Sequence, residues 1–358
     1  MNRKFAYTIA AVIALSAAAA MAGGETEEKT IEERLAALEA GAKKSSWSEN
    51  LTVKGDLRYR YEYKATDDDT TTDRHRIRAR IGAYGKVADN VKVGLRLASG
   101  STDDDEAAGS EATSSNQTLE DNFSEKPVWI DLAYITLGCP KIEDLNTTFG
   151  KMKQPWVSVS DLIFDTDVNP EGIASVYEFG SDDLALTAVA AYHMLDDKGT
   201  GEDDNLTSGQ LAVETDVGEH VKLTAGVGAY YYSELPYEII DGFVKADIKT
   251  EALPIKLYGE YLNNTASGVE EDTAWLVGIG TKCPVTGVKL DYNYRDLEAD
   301  SVYGGLDDGD FGGPDGKGHK IKLSYGLARN TTVGATYFRV DRNNTDRDVL
   351  QLDLVVKF

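Results

Sequence analysis

The chain has 358 residues, with 61 Asp and Glu against 37 Lys and Arg and a formal net charge of -24, which argues against nucleic-acid binding as a general role. Two cysteines, Cys139 and Cys283, cannot supply a disulfide framework. Nineteen Tyr and 34 Gly against 8 Pro suit many strands joined by tight turns.

Arg3 and Lys4, the alanine-rich apolar stretch Phe5 to Ala20, and the small-x-small pattern Ala20, Met21, Ala22 read as a cleaved export signal over residues 1–22. From Gly23 onward no window approaches the roughly 18 to 20 consecutive apolar residues of a membrane helix. A transmembrane barrel leaves the same trace, because only alternate residues must face lipid. Residues 23–50 place Glu25, Glu27 and Glu28 ahead of Ile31, Leu35 and Leu38 at helical spacing. That predicts a short amphipathic helix in the periplasm, either a solvated spacer or the stub of a trimeric coiled coil.

From Leu51 the period becomes two. Leu51, Val53, Gly55, Leu57, Tyr59, Tyr61 and Tyr63 share one face, and Thr52, Lys54, Asp56, Arg58, Arg60 and Glu62 the other. The pattern returns in Ile77, Ala79, Ile81 and Ala83 against Arg74, Arg76, Arg78 and Arg80. Further strand cores are predicted near 91–98, 128–138, 145–152, 172–180, 184–193, 207–216, 220–232, 238–250, 255–263, 272–282, 287–295, 318–327, 331–341 and 347–358, sixteen in all. Connections alternate in length: short at 88–90, 181–183, 217–219, 251–254, 284–286 and 328–330, long at 64–73, 99–127, 153–171, 195–206, 264–271 and 296–317. The connection at 233–237 is short for its place. Such alternation suits an all-β, transmembrane antiparallel barrel over residues 51–358 with short periplasmic turns and long outer loops, better than a soluble β-sandwich. The last strand alternates from Leu350 to Phe358, and a terminal Phe there resembles the assembly signature of bacterial outer-membrane proteins. The resemblance implies the barrel-assembly machinery as a partner and the outer membrane as the destination.

Trp129 to Pro155 resembles a segment of the general porin family, in which an Ala-Tyr strand precedes a Gly-Lys or Gly-Arg strand that enters the constriction loop. The matching residues are Ala133, Tyr134 and Leu137, then Phe149, Gly150, Lys151, Gln154 and Pro155. By that resemblance the connection 153–171 folds inward and narrows the barrel. It is rich in apolar residues, Trp156, Val157, Val159, Leu162, Ile163 and Phe164, beside Asp161, Asp165, Asp167 and Glu171. The period-two pattern puts Arg58, Arg60, Arg74, Arg76, Arg78, Arg80 and Arg96 into the lumen, a ladder of like charges that needs water, counter-ions or acids to compensate it. Basic wall against acidic loop resembles the arrangement of general porins, and that resemblance implies a water-filled pore, a homotrimer, for passive diffusion of small hydrophilic solutes and ions. The ladder can equally brace the lumen by pairing with Asp56, Glu62 or loop acids, or favour anions as in phosphate-selective porins. A structural or adhesive barrel with a blocked lumen is the reading from a different class.

The acidic runs Asp67 to Asp69, Asp103 to Asp105, Asp203 with Asp204, and Asp307 to Asp310 fall in predicted outer loops and read as solvated segments. Calcium or magnesium bridging them to lipopolysaccharide is the sharper alternative. Cys139 and Cys283 each precede a proline in turns eight strands apart, too far to bridge within one chain. His75, His193, His220 and His319 show no metal-ligand spacing, and no phosphate loop or nucleophile elbow is present, so no enzyme is expected.

Overall fold

The computed structural model describes residues 50–67, 70–100, 112–120, 122–181, 183–199, 202–343 and 345–358. The export signal, the predicted periplasmic helix up to residue 49, Asp68, Asp69 and the run Asp103 to Asp105 lie outside the described residues.

Residues Leu51–Phe358 form one unit built almost wholly of strands. The first seven are β1 (Leu51–Thr66), β2 (Thr71–Ala88), β3 (Val91–Ser99), β4 (Gln117–Thr118), β5 (Val128–Gly138), β6 (Leu145–Lys151) and β7 (Glu171–Ser181). Then come β8 (Leu184–Asp196), β9 (Asp204–Val217), β10 (Val221–Tyr232), β11 (Glu238–Ile248) and β12 (Ile255–Asn264). The last are β13 (Thr273–Lys282), β14 (Lys289–Leu297), β15 (Gly316–Ala328), β16 (Thr331–Arg342) and β17 (Thr345–Lys357). All but β4 pair antiparallel with their chain neighbours, and β1 pairs with β17, so sixteen strands close into a barrel without a free edge. The two-residue β4, unforeseen in the sequence, pairs with β2 at Ile77 and Arg76, just beyond the point where β3 ends.

The pattern of burial is the reverse of a soluble protein. Leu57, Ile81, Ile130, Leu211 and Val277 point outward and are each more than half exposed, whereas inward-pointing Glu62 is fully buried. An apolar exterior of this extent needs lipid to cover it.

Every connection at one end of the barrel is short, from two residues between β2 and β3 to six between β11 and β12. The turn between β15 and β16 is only residues 329–330, with Asn330 in the left-handed region at φ 60° that Asn tolerates. At the other end only three connections are long: 100–127, 152–170 and 298–315. The loop expected over 64–73 is much shorter, because β1 and β2 stay paired out to Ala65 and Thr71; Thr66, Thr70, Thr71 and Thr72 favour extended backbone there.

Closure is completed at the chain end. Gly55 and Phe358 exchange backbone hydrogen bonds of 2.9 and 3.0 Å, and the Phe358 ring lies where a side chain on residue 55 would be, 2.5 Å from the position of a Cβ. Glycine at 55 therefore admits the ring. Cys139 and Cys283, in short turns at the same end, are both free thiols.

Candidate functional site

The register of β1 against β2 builds the ladder. Arg58 stands directly opposite Arg78 and Arg60 opposite Arg76, and these two like-charged pairs are bounded by Asp56 opposite Arg80 and Glu62 opposite Arg74. Two facing arginine pairs are costly, and surrounding acids offset them. Arg60 makes a two-pronged contact to Asp353, its partner across the β1–β17 seam, at 2.7 and 2.9 Å, and reaches Asp310 at 3.3 Å. Arg74 and Arg76 meet Glu62 at 2.6 and 3.8 Å. Arg78 and Arg80 both meet Asp56, at 2.9 and 2.8 Å. Arg58 donates to Asn116 at 2.5 Å and has no carboxylate at ion-pair distance among the described residues.

Arg96, on β3, bonds Asp131 of β5. The ladder between these strands shifts at Arg96 and Leu97, so that Asp131 is an extra residue on β5. That bulge lets both Asp131 and Leu132 face inward, where strict alternation would turn one of them out.

The connection 152–170 folds into the lumen, as its apolar content requires. Trp156 stacks on Phe164 with ring centroids 4.5 Å apart, and both meet the edge of Tyr230 on β10. The Trp156 indole donates to Ser208 at 3.0 Å, and Gln210 on β9 both accepts from and donates to the Val157 backbone, at 2.8 and 3.0 Å. From that wall the segment crosses to two others. Asp161 accepts from Arg295 on β14 and Lys320 on β15, each at 2.5 Å. Asp167 meets Arg80 at 3.1 Å and Arg78 at 3.5 Å on the ladder.

The four acids assigned to the loop thus part company. Asp165 accepts the Asp167 backbone N–H at 2.7 Å and braces the loop itself. Burial, with Asp308 and Asp167 nearby, pushes its carboxyl up to about 8. Burial also opposes ionisation of Asp167, but Arg78 and Arg80 outweigh it and hold the carboxyl below the usual range. Glu171 does not join the acidic face: as the first residue of β7 it stands opposite Lys151 and pairs with it at 2.5 Å, its side chain largely exposed. At the start of the loop, burial together with Arg96 and Arg80 lowers the Lys153 ammonium to about 8.

A second inward segment went unforeseen. In the connection 298–315, Val302 and Phe311 are buried among Tyr232, Leu297, Phe338 and Val340 of the barrel interior. It carries Asp307 to Asp310, which the sequence suggested were solvated, and the structure corrects this. Asp308 meets Lys320 at 2.7 Å and Arg295 at 3.4 Å, and Asp307 is also buried. The fixed cations inside the barrel supply the counter-charge that water would otherwise provide. Burial, with Asp308 beside it, pushes the Asp307 carboxyl up to about 7. The two inward segments touch where the Asp165 N–H donates to the Leu306 carbonyl at 2.8 Å. Arg295, Lys320 and Asp353 were overlooked although each sits at a lumen-facing position of its strand; Val302, Leu306 and Phe311 are the apolar signal that could have marked the second segment.

Two cavities flank the loop. A smaller one of about 330 Å³ lies among Ser99, Ser115, Asp131, Asn169 and Met194. A larger one of about 900 Å³ lies beneath Ser160, Asp161 and Phe164 and extends to the short-turn residues Lys249 and Pro254. Among the described residues no group of three or more His, Cys, Asp or Glu is arranged to hold a metal ion.

A family model described as "Putative porin" matches residues 63–240 and 241–358. Among solved structures the chain is similar to OprB of Pseudomonas putida at high pH, with a TM-score of 0.60 and 10% identity over 87% of this chain and 95% of that one. It is also similar to Salmonella typhi OmpF in complex with daunomycin, at TM-score 0.56 and 11% identity over 86% and 98% of the two chains. In vitro folded OmpT in its trimer form, an outer membrane protein of Vibrio cholerae, follows at 0.51 and 13% over 86% and 100%. No curated protein is matched. At these identities the structures show a shared barrel fold.

Proposed function

The chain belongs to the family of putative porins, and from that premise we propose that this outer-membrane barrel is a passive diffusion channel for small hydrophilic solutes and ions, its constriction set by the arginine ladder and the inward loop. One observation carries the reading: the loop is held at both charged walls, by Asp167 on Arg78 and Arg80 and by Asp161 on Arg295 and Lys320. Wall cations facing loop carboxylates create a local field in which dipolar solutes and water orient, and this selects polar over apolar permeants. Six of the seven guanidinia meet six carboxylates, Asp56, Glu62, Asp131, Asp167, Asp310 and Asp353, and the seventh, Arg58, meets none among the described residues, so that the excess charge is positive and resides there. A weak anion preference follows.

A homotrimer belongs to the same reading, supported by the trimer form of the similar OmpT. So do a cleaved export signal over 1–22, insertion by the barrel-assembly machinery through β17, and contact of the outer loops with lipopolysaccharide.

A second reading has its own observation. Trp156, Leu162, Ile163 and Phe164 join Leu206, Tyr230, Leu262 and Leu276 in a packed cluster that fills part of the lumen, as a barrel serving only as an anchor would. Planar-bilayer recording separates the two. Ion conductance is expected of the purified protein, and its reversal potential in a salt gradient should move when Arg76 and Arg78 are neutralised. An unchanged reversal potential would make the ladder a brace.

A further inference from the structure

The larger cavity has a charge that neither the whole chain nor the ladder explains. The chain carries a net charge of -24, yet the walls of this space present six lysines, Lys249, Lys256, Lys282, Lys289, Lys320 and Lys322, against Asp161, Asp247 and Asp291. Lys256 is paired with Asp291 at 2.5 Å, and Lys320 with Asp161 and Asp308 at 2.5 and 2.7 Å. The other four have no carboxylate at ion-pair distance among the described residues. Four uncompensated ammonium groups around one space repel one another, and a bound anion relieves that repulsion.

The wall is built, not merely basic. Gly278 and Gly280 on β13 have no side chains to keep neighbours away. A Cβ on Gly278 would lie 2.2 Å from the Tyr258 ring, and one on Gly280 would lie 2.8 Å from both Asp291 and Lys256. The Tyr258 hydroxyl donates to Asp291 at 2.6 Å and accepts from Asn293 at 3.3 Å. Asp291 holds Lys256 in a wall that also carries Lys320 and Lys322 on β15. The loop above adds apolar surface from Val159 and Phe164. A volume of about 900 Å³ exceeds what a bare inorganic ion fills.

We propose that this cavity is a binding subsite for a multivalent organic oxyanion, a compact body bearing two or more carboxylate or phosphate charges, held by Lys289 and Lys322 with Lys256 and Lys320 behind them. The inference rests on the channel reading for its role, since an anion captured at the inner mouth is concentrated on the path to or from the constriction. Binding itself does not depend on conduction, which makes the two separable.

Calorimetric titration of citrate into the detergent-folded full-length protein at low salt tests it. Saturable binding is expected, weakened by about tenfold or more in Lys289→Gln/Lys322→Gln and unaltered in Lys198→Gln, whose lysine lies in an outer loop. Uncharged sucrose should not bind, and inorganic phosphate should bind more weakly than citrate. Absence of citrate binding, equal binding by the double variant, or equal binding of phosphate would overturn the proposal. Bilayer recording on the same preparation reads the premise: a silent protein that still binds citrate through Lys289 and Lys322 refutes the channel and leaves the subsite, whereas a conducting one without citrate binding refutes the subsite alone.

Discussion

Asp167 holds Arg80 at 3.1 Å from within a connection that leaves the barrel wall after Lys151 and returns at Glu171. The contact ties the inward loop to the ladder and neutralises part of it at the same time. Pairing of the ladder with loop acids was one of the arrangements that the sequence left open, and Asp167 makes it. The field at this level therefore depends on whether that contact is made.

Replacing Asp167 with Asn should release that charge. Arg78 and Arg80 would keep Asp56 and lose the loop carboxylate. The anion-to-cation permeability ratio is expected to rise severalfold, read from the reversal potential in a salt gradient. A ratio that is unchanged or falls would mean that the Asp167 carboxylate does not oppose permeant anions at the ladder.

The contact between Arg60 and Asp353 bridges the seam where the barrel closes, with both side chains largely buried. Asp353→Asn leaves a guanidinium short of its partner next to Arg76. The cost should be on the order of 2 kcal/mol, below the ~3–5 of a dry buried pair because the lumen holds water. Heat-induced unfolding, followed by the gel mobility of the folded barrel, should shift to lower temperature. No shift would remove the pair from any role in closure.

The inward segments should loosen as pH rises. The carboxyls of Asp165 and Asp307 stand at about 8 and about 7, above the carboxylate range, so the packed loops bind protons that released loops give up. Their stabilisation is full below roughly pH 4 and is lost as pH climbs through 7 and 8. Asp167, held low, acts oppositely and only in acid. Hydrogen exchange across residues 152–170 should be faster at pH 9 than at pH 6, after correction for intrinsic rates, and Asp165→Asn should flatten the difference. Slower exchange at pH 9 would contradict the assignment.

A valine at Gly278 should collide with Tyr258, costing about 1–3 kcal/mol in barrel stability. Adding Tyr258→Ala should restore much of the loss by making room. Full stability of the single variant, measured by urea unfolding in detergent, would show that the ring moves aside freely.

The strands were legible because they alternate over most of their length, apolar outward to lipid and polar inward, and the ladder was legible because Arg58, Arg60 and the four arginines from Arg74 to Arg80 share one parity. What compensates them was not. Asp353 is 293 residues from Arg60 and meets it only through the register of closure, and Asp131 turns inward only because a bulge breaks the alternation. The acidic run at 307–310 suggested water, since local composition cannot reveal that Arg295 and Lys320 wait inside the barrel. Glu171 was misplaced by belonging to a strand that begins one residue sooner than its pattern shows.

Single-channel recording of the purified protein in planar bilayers addresses the channel most directly, because the same interior that presents the ladder also contains the packed cluster around Trp156 and Phe164. Discrete conductance steps in potassium chloride, with a reversal potential that shifts in Asp167→Asn, are predicted. Folded protein that inserts and passes no ions would contradict the account.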